Sequence, residues 1–404
     1  MENNNNKMKL KDIILPPISG EWGNDDEEGN GVLVLRTTNF TNEGIINYEN
    51  IITRKINKKN INHKYLQKGD ILIEKSGGSE KQPVGRVVYF EGEEYKYLFN
   101  NFTSVLRIKN KNFINSKYLF LYLYSYYKNG GTLAFQNKTT GLHNLKLEQF
   151  VASIEIPVLS LSEQQRIANE LDKVCELIDK RQTQLQKLDL LIKSKFVEMF
   201  GDPNGQEKRF IKVTLTNVCT FIDGDRGKNY PKQEEFKKSG YCLFLNAKNV
   251  TSDGFSFKEC YFISREKDDI LKKGRLTKGD IVLTTRGTIG NLAFYDETIP
   301  YENIRINSGM LIIQIDKTKL NEKFFINQFK FLLEKIKREN VSGSAQPQLP
   351  VFTMKKIFIL LPPLELQNLF VDFVDKVEKN KTKIKASLDK LITLKKALMQ
   401  KYFG

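Results

Sequence analysis

Several short stretches of this chain bring together residue types that could do chemistry. Asp70-Ile-Leu-Ile-Glu74-Lys75 sets two carboxylates beside a lysine, the kind of group that a nuclease gathers around Mg²⁺. A second copy of the stretch, Asp280–Thr285, carries threonines in place of the glutamate and lysine, so the group reads as strand surface. Gly78–Arg86, GSEKQPVGR, approaches a phosphate-binding loop but lacks its closing lysine and hydroxyl. An amino-methyltransferase needs Asp or Asn before a Pro-Pro pair and an aromatic after it. Pro16-Pro17 and Pro362-Pro363 have leucine before them and isoleucine or leucine after. His63 and His143 stand in unrelated contexts and suggest no hydrolytic triad. The expectation is a chain that is not catalytic alone and binds neither cofactor nor metal.

A different chemistry, the reading of base edges, calls for Arg, Lys, Asn and Gln in exposed loops, with Ser and Thr on phosphates. Such residues cluster after two similar strands. One group holds Arg36, Thr37, Asn39, Lys75, Ser76 and Arg86, with Gln136, Asn137, Lys138 and His143 in AFQNKTTGLHN. The other holds Lys248, Asn249, Thr285, Arg286 and Thr288, with Gln346 and Gln348 in VSGSAQPQL. The same residues also suit ordinary polar loops, and Asn39 and Asn249 fit a turn-forming role equally well. Charge points the same two ways. The 64 Lys+Arg against 48 Asp+Glu leave +16, which suits a polyanionic partner through counterion release. It suits equally a lysine-rich solvated surface from an A/T-rich genome.

The elements that must position these residues come in pairs, because the chain is written twice. LRTTNF (Leu35–Phe40) aligns with LNAKNV (Leu245–Val250), and LQKGDILIEKSGG (Leu66–Gly78) with LTKGDIVLTTRGT (Leu276–Thr288), all at an offset of 210. Further on the offset is 203: Ile154–Val174 aligns with Ile357–Val377, and Phe200-Gly201 with Phe403-Gly404. Each copy opens with short β-rich runs between turns, including Lys-Gly-Asp turns that feed strands. A helix follows in each, over 117–127 and 322–337. The first includes YLFLYLYSYY, too short to span a bilayer, and reads as buried.

Each copy then closes on a long helix. Ser162 can cap the first, with Gln165 completing a capping box, and Gly201 and Pro203 stop it. Leu171, Val174, Ile178, Leu185, Leu188, Ile192 and Met199 form a heptad seam. Phe370, Val374, Val377, Ile384, Leu388, Leu391, Leu398 and Tyr402 form the other. Arg181 and Lys195 interrupt the first seam, and Lys381 and Lys395 the second, at positions that do not coincide. The expectation is that the two helices pair with each other, antiparallel; packing on their own globules or in an intermolecular dimer is the alternative. The predicted fold class is α+β: two tandem mixed α/β, mostly β, domains separated by two long antiparallel coiled-coil helices, with pseudo-twofold symmetry. The boundaries expected are 1–155 and 203–356 for the globules, 156–202 and 357–404 for the helices. Cys175, Cys219, Cys242 and Cys260 form no CxxC pair and the N-terminus is polar, so a reducing cytoplasm is expected, with no membrane and no export.

In its doubled architecture, its IPVLSLSEQQRIANELDKV and LLPPLELQNLFVDFVDKV helix starts, its KGDILIEKSGG and KGDIVLTTRGTIG strand–loop pair and its doubled Phe-Gly helix end, the chain resembles the specificity subunits of type I restriction–modification systems over essentially its full length. It departs from their usual Pro-Pro-Leu-x-Glu-Gln pattern at Leu159-Ser160 and at Leu366. The resemblance implies two target recognition domains, each reading one half of a bipartite, asymmetric site in double-stranded DNA. It also implies helices that set the spacer and dock two methyltransferase subunits, which restriction subunits then join. The cofactors would belong to those partners: S-adenosylmethionine to the methyltransferase, ATP and Mg²⁺ to the restriction subunit. A stand-alone sequence-specific DNA-binding regulator with two reading heads is the alternative, and a coiled-coil scaffold whose globules bind protein is a third reading.

Overall fold

A computed structural model of the chain describes residues 6–57, 60–139, 142–205, 209–340 and 348–404. Four helices organise it: α1 (Ser116–Lys128), α2 (Leu161–Phe200), α3 (Glu322–Asn340) and α4 (Leu364–Phe403). The chain divides into two units. One is Met1–Gln182 with Ala386–Gly404, the other Thr183–Lys385.

In the first unit a four-stranded antiparallel sheet runs in the order 18–19, 103–106, 71–74, 87–89. A second sheet pairs strand 32–35 in parallel with 97–99 and antiparallel with 52–55. The second unit repeats this arrangement. Its strands run 219–223, 310–315, 281–284, 292–294, and strand 242–245 is parallel to 304–306. The matched runs Val-Leu-Val-Leu and Cys-Leu-Phe-Leu occupy equivalent strands, and their β-branched, aromatic and leucine side chains form the cores. The duplication seen in the letters is a duplication of topology.

The tyrosine-rich run is a buried helix, as expected. In α1, Tyr118, Leu119, Phe120, Leu121 and Leu123 are buried, and Asn115 caps it through Tyr118 N. In α3 the equivalent core is Phe324, Phe325, Phe329, Leu332 and Ile336.

Each unit contains parts of both long helices, and in each they run antiparallel. In the first, the last turns of α4 lie on the first turns of α2. Tyr402 donates to Glu170 at 2.7 Å, the Arg166 guanidinium sits 5.6 Å from the Tyr402 ring centroid, and Leu398 is buried in one cluster with Leu171 and Val174. In the second, Phe196 and Phe200 of α2 pack on Phe370 of α4 at 5.4 and 5.7 Å, and Lys381 pairs with Asp189 at 2.7 Å. Lys381 thus finds carboxylates, Asp189 and Glu378, where a coiled coil would place an apolar side chain.

The seam is uneven. Leu171, Val174, Ile192, Val374, Val377 and Leu398 are fully buried, whereas Ile178, Leu185, Leu188, Ile384, Leu388 and Leu391 are only half-buried. The buried positions join the globular cores, and of the half-buried ones Ile178 and Leu188 pack against the edges of those cores. The helix start also differs from expectation. Ser160, not Ser162, caps α2, because the helix begins at Leu161 and the Ser160 hydroxyl accepts from Glu163 N at 3.3 Å. At the other end Gly201 adopts φ 83°, the left-handed conformation that closes a helix at little steric cost.

Two buried glutamines fasten these helix starts to the heads. Gln164 accepts from Asn115 N at 2.8 Å and donates to Leu159 O and Phe113 O at 2.9 and 3.2 Å. Gln367 accepts from Asn321 N at 2.8 Å and donates to Pro362 O and Lys319 O at 2.8 and 2.9 Å. Both side chains are fully buried. The glutamine that ends the Pro-Pro-Leu-x-Glu-Gln pattern therefore ties the long helix to the N-terminus of the head's own helix, with or without the proline pair.

Candidate nucleic-acid interface

In each head the chain leaving the central strand is held by the same three backbone hydrogen bonds. In the first, Lys75 N and Ser76 N both donate to Phe102 O at 2.8 and 3.2 Å, and Leu145 N donates to Lys75 O at 2.8 Å. In the second, Thr285 N and Arg286 N donate to Gly309 O at 2.8 and 3.2 Å, and Leu349 N donates to Thr285 O at 2.9 Å. Backbone–backbone clamps of this kind do not depend on side-chain identity. One scaffold therefore presents Lys75-Ser76 in one head and Thr285-Arg286 in the other.

In the first head the clamp extends into a three-stranded sheet, in the order 136–139, 142–145, 76–78. It gathers Ser76, Gln136, Asn137 and His143. Ser76 donates to Asn144, and the His143 ring nitrogen Nδ1 lies 3.2 Å from Gln136 Oε1. Asn137 is exposed, while His143 is buried to 9% exposure and braces the sheet. The strand includes Lys138, of whose side chain nothing is described. Lys75 reaches Ser19 Oγ at 3.1 Å; burial, aided by nearby Lys64, lowers the pKa of its ammonium group. Lys64 is itself paired with Glu21.

In the second head Arg286 and Thr288 are exposed, and the backbone of Arg286 forms an isolated antiparallel bridge with that of Gln348. Thr285 is buried, its hydroxyl donating to Gly309 O at 3.0 Å. A cavity of about 230 Å³ opens beside this group, lined by Asp223, Arg226, Thr285, Arg286 and Gln348. Gln346 lies outside the described residues. Arg226, which reaches Ser308 O at 3.3 Å and Asp223 at 3.4 Å, was not a sequence candidate. Its Gly-Asp-Arg-Gly setting, an arginine in a glycine-flanked turn, was the available signal.

The remaining candidates are not brought to these clamps, and three of them are corrected. Asn39 and Asn249 are buried turn fasteners: each accepts from the residue three before it, at Arg36 N and Asn246 N. Their amide nitrogens donate to Asn47 O and Glu49 O in one head, and to Ser256 O and Glu259 O in the other. With those groups engaged and the side chains buried, neither can face a base. Arg86 is likewise a buried strut, donating to Phe40 O and Thr37 O at 2.9 Å and pairing with Glu74. Arg36 is half-buried and donates to Asn50 O, and Thr37 lends its carbonyl to Arg86. Lys248 is exposed and paired with Glu259 at 3.0 Å.

The carboxylates of Asp70–Lys75 are not strand surface. Asp70 is buried against Arg107 at 2.7 Å while capping Gln67 N, and Glu74 is buried against Arg86. Burial raises the Glu74 pKa, and the Arg86 charge opposes that rise without cancelling it. A nuclease needs its acids open to a metal; these are closed into ion pairs. Among the described residues no cluster of His, Cys, Asp and Glu could hold a metal ion, and no helix is long and apolar enough to cross a membrane.

Comparisons with known proteins agree with this doubled layout. The family of the type I restriction modification DNA specificity domain matches the chain twice, at residues 2–190 and 207–394. A protein of Methanocaldococcus jannaschii named as a type I restriction enzyme MjaX specificity subunit is 23% identical over 96% of this chain and 91% of its own. The fold is shared with the crystal structure of the type I restriction-modification S subunit from M. genitalium, at TM-score 0.57 and 17% identity, covering 100% of this chain and 98% of that one. It is shared also with a chain from a structure concerned with complex assembly and conformational transition of the type I R-M system, at TM-score 0.56 and 17% identity, covering 98% and 97%. Two copies of one α+β recognition fold, each leading into a long helix, thus meet a family match over nearly the whole sequence: the chain belongs to the type I restriction–modification DNA specificity family, with two of its domains in tandem.

Proposed function

We propose that the two heads read the two halves of a bipartite, asymmetric DNA site, and that α2 and α4 set the spacer between the halves while docking two methyltransferase subunits, which restriction subunits join. The chemistry then lies wholly in the partners, with S-adenosylmethionine used by the methyltransferase and ATP and Mg²⁺ by the restriction subunit. The observation that carries this reading is the repeated backbone clamp with different side chains on it, Lys75-Ser76 in one head and Thr285-Arg286 in the other. A shared scaffold with dissimilar readers suits two unlike half-sites. The net charge of +16 supplies the sequence-independent part of the affinity. Each long helix has 40 residues, about 60 Å at 1.5 Å per residue, a length commensurate with one to two turns of duplex.

The test is co-expression with the cognate methyltransferase and genome-wide mapping of methylated adenines. The map should show a split motif. Replacing the first head with that of a relative should change one half of it only; a change in both halves, or in neither, would refute the assignment.

A further inference from the structure

The second head has a pocket that the clamp does not use. Gly20 and Gly224 are equivalent, because a side chain on either would strike a carbonyl oxygen at the same place, Asn100 or Asn307. From that glycine to the end of the following strand, the second head is six residues longer (Gly224 to Leu245 against Gly20 to Leu35). The longer segment carries Tyr230, Gln233 and Phe236 over strand 242–245, and a cavity of about 340 Å³ opens there. That volume lies at the small end of the range for ligand pockets.

The walls are aromatic. Tyr230 meets Phe244 edge-on at 5.7 Å, Phe236 lies 5.5 Å from Phe244, and Tyr261 lies 6.3 Å from Phe236. The rim is polar and suited to base edges. Asn246 and Asn307 have their carbonyl oxygens engaged by Lys248 N and Gly309 N, which leaves their amide hydrogens as donors. Among the described residues the exposed Gln233 amide has no partner. The Glu259 carboxylate, held by Lys248 at 3.0 Å and by the Tyr261 hydroxyl at 2.6 Å, accepts from exocyclic amino groups as carboxylates do. Asn307 stands two residues before Gly309, the acceptor of the Thr285–Arg286 clamp, so the pocket adjoins the reading loop within the same head.

We propose that this pocket receives one nucleobase of the bound DNA, unstacked from the duplex. The inference rests on the DNA-reading assignment above. Aromatic faces and amide donors in a recess can engage only a ring whose faces are free, and a base within the stack has neither face free. In the first head, Trp22 of the shorter segment is covered by the Arg54 guanidinium 4.3 Å from its centroid; in the second, Lys238 lies 4.4 Å from the Tyr261 centroid, and among the described residues no cation lies over Tyr230, Phe236 or Phe244.

The test uses the full chain and three 30-bp duplexes differing at one central position: fully paired, with one bulged adenine, and with a bulged abasic site. Adenosine monophosphate serves as the free-nucleotide arm. The bulged adenine should bind about tenfold more tightly than either other duplex, within what base–aromatic stacking supplies. Tyr230→Ala and Gln233→Ala should bring that ratio to about one. Arg286→Ala should weaken all three duplexes together and leave the ratio intact. Equal binding of bulged adenine and abasic site, with the paired duplex still bound, would overturn the pocket alone. Failure to bind any duplex would overturn the DNA reading with it. Saturable binding of adenosine monophosphate without a preference for the bulged base would overturn DNA as the source of the ring.

Discussion

The fastening glutamines allow a stability effect to be worked from the structure. Gln164 is fully buried and makes three hydrogen bonds, all to backbone groups of segments that would otherwise end unpartnered. Each contributes about 1 kcal/mol net, and truncation leaves Leu159 O, Phe113 O and Asn115 N to be satisfied by whatever water can enter. Gln164→Ala should therefore cost about 3–5 kcal/mol, a large part of the stability of a single domain. The neighbouring Gln165 bonds only Asn115 Nδ2 and Asn169 at the surface, so Gln165→Ala should stay within about 0.5 kcal/mol. Gln164→Glu keeps the acceptor for Asn115 N but loses both donors and buries a charge, so it should be no better than alanine. The assay is urea unfolding of the full chain. Because two units do not make a single two-state transition, hydrogen exchange should assign the loss. It should fall in the first unit for Gln164→Ala and in the second for Gln367→Ala. A cost under about 1 kcal/mol for Gln164→Ala, or a loss spread evenly over both units, would refute the reasoning.

Other outcomes follow from the same contacts. Arg86→Met leaves Glu74 buried without its counter-ion and should cost about 3–5 kcal/mol. Because the folded-state pKa of Glu74 is already raised, the fold favours the protonated form. Part of that loss should therefore return as pH falls through the raised value, read from urea midpoints across pH. Burial pushes the Cys219 and Cys242 thiols up to about 12 and about 11, so at pH 8 a thiol reagent should reach them only on unfolding; rapid labelling of the native chain at either would contradict their burial. Arg286→Ala should weaken DNA binding by about 1–3 kcal/mol if the side chain reads a base, with altered preference in one half-site. A uniform loss across sequences would place it on a phosphate instead.

How much of this was legible in the letters depends on the kind of interaction. The repeat, the long helices and the buried α1 were readable because periodicity and duplication are local patterns. The antiparallel sense was argued from seam defects that do not coincide; the fold accommodates one of them, Lys381, against the Asp189 carboxylate beside the seam, a partner that the heptad pattern does not single out. The cap was misplaced by two residues because Ser160 and Ser162 offer the same hydroxyl, and only the backbone path of Leu161 decides between them. Asn39, Asn249 and Arg86 are the residue types that touch DNA, yet the fold engages them in turns and a buried ion pair. Burial of a polar residue is a property of segments distant in sequence. Asn39 is closed off by residues 47 and 49, and Arg86 by residues 37, 40 and 74. Arg226 was missed for the converse reason: its neighbourhood is assembled from residues near 308 and 348.

The central claim, that two unlike heads read two separated half-sites, is tested most directly by hydroxyl-radical footprinting of the full chain on DNA carrying the mapped methylation motif. Two protected patches on either side of an unprotected spacer are predicted, with Arg286→Ala thinning one patch only. One continuous protected tract, or both patches fading together in that variant, would contradict it.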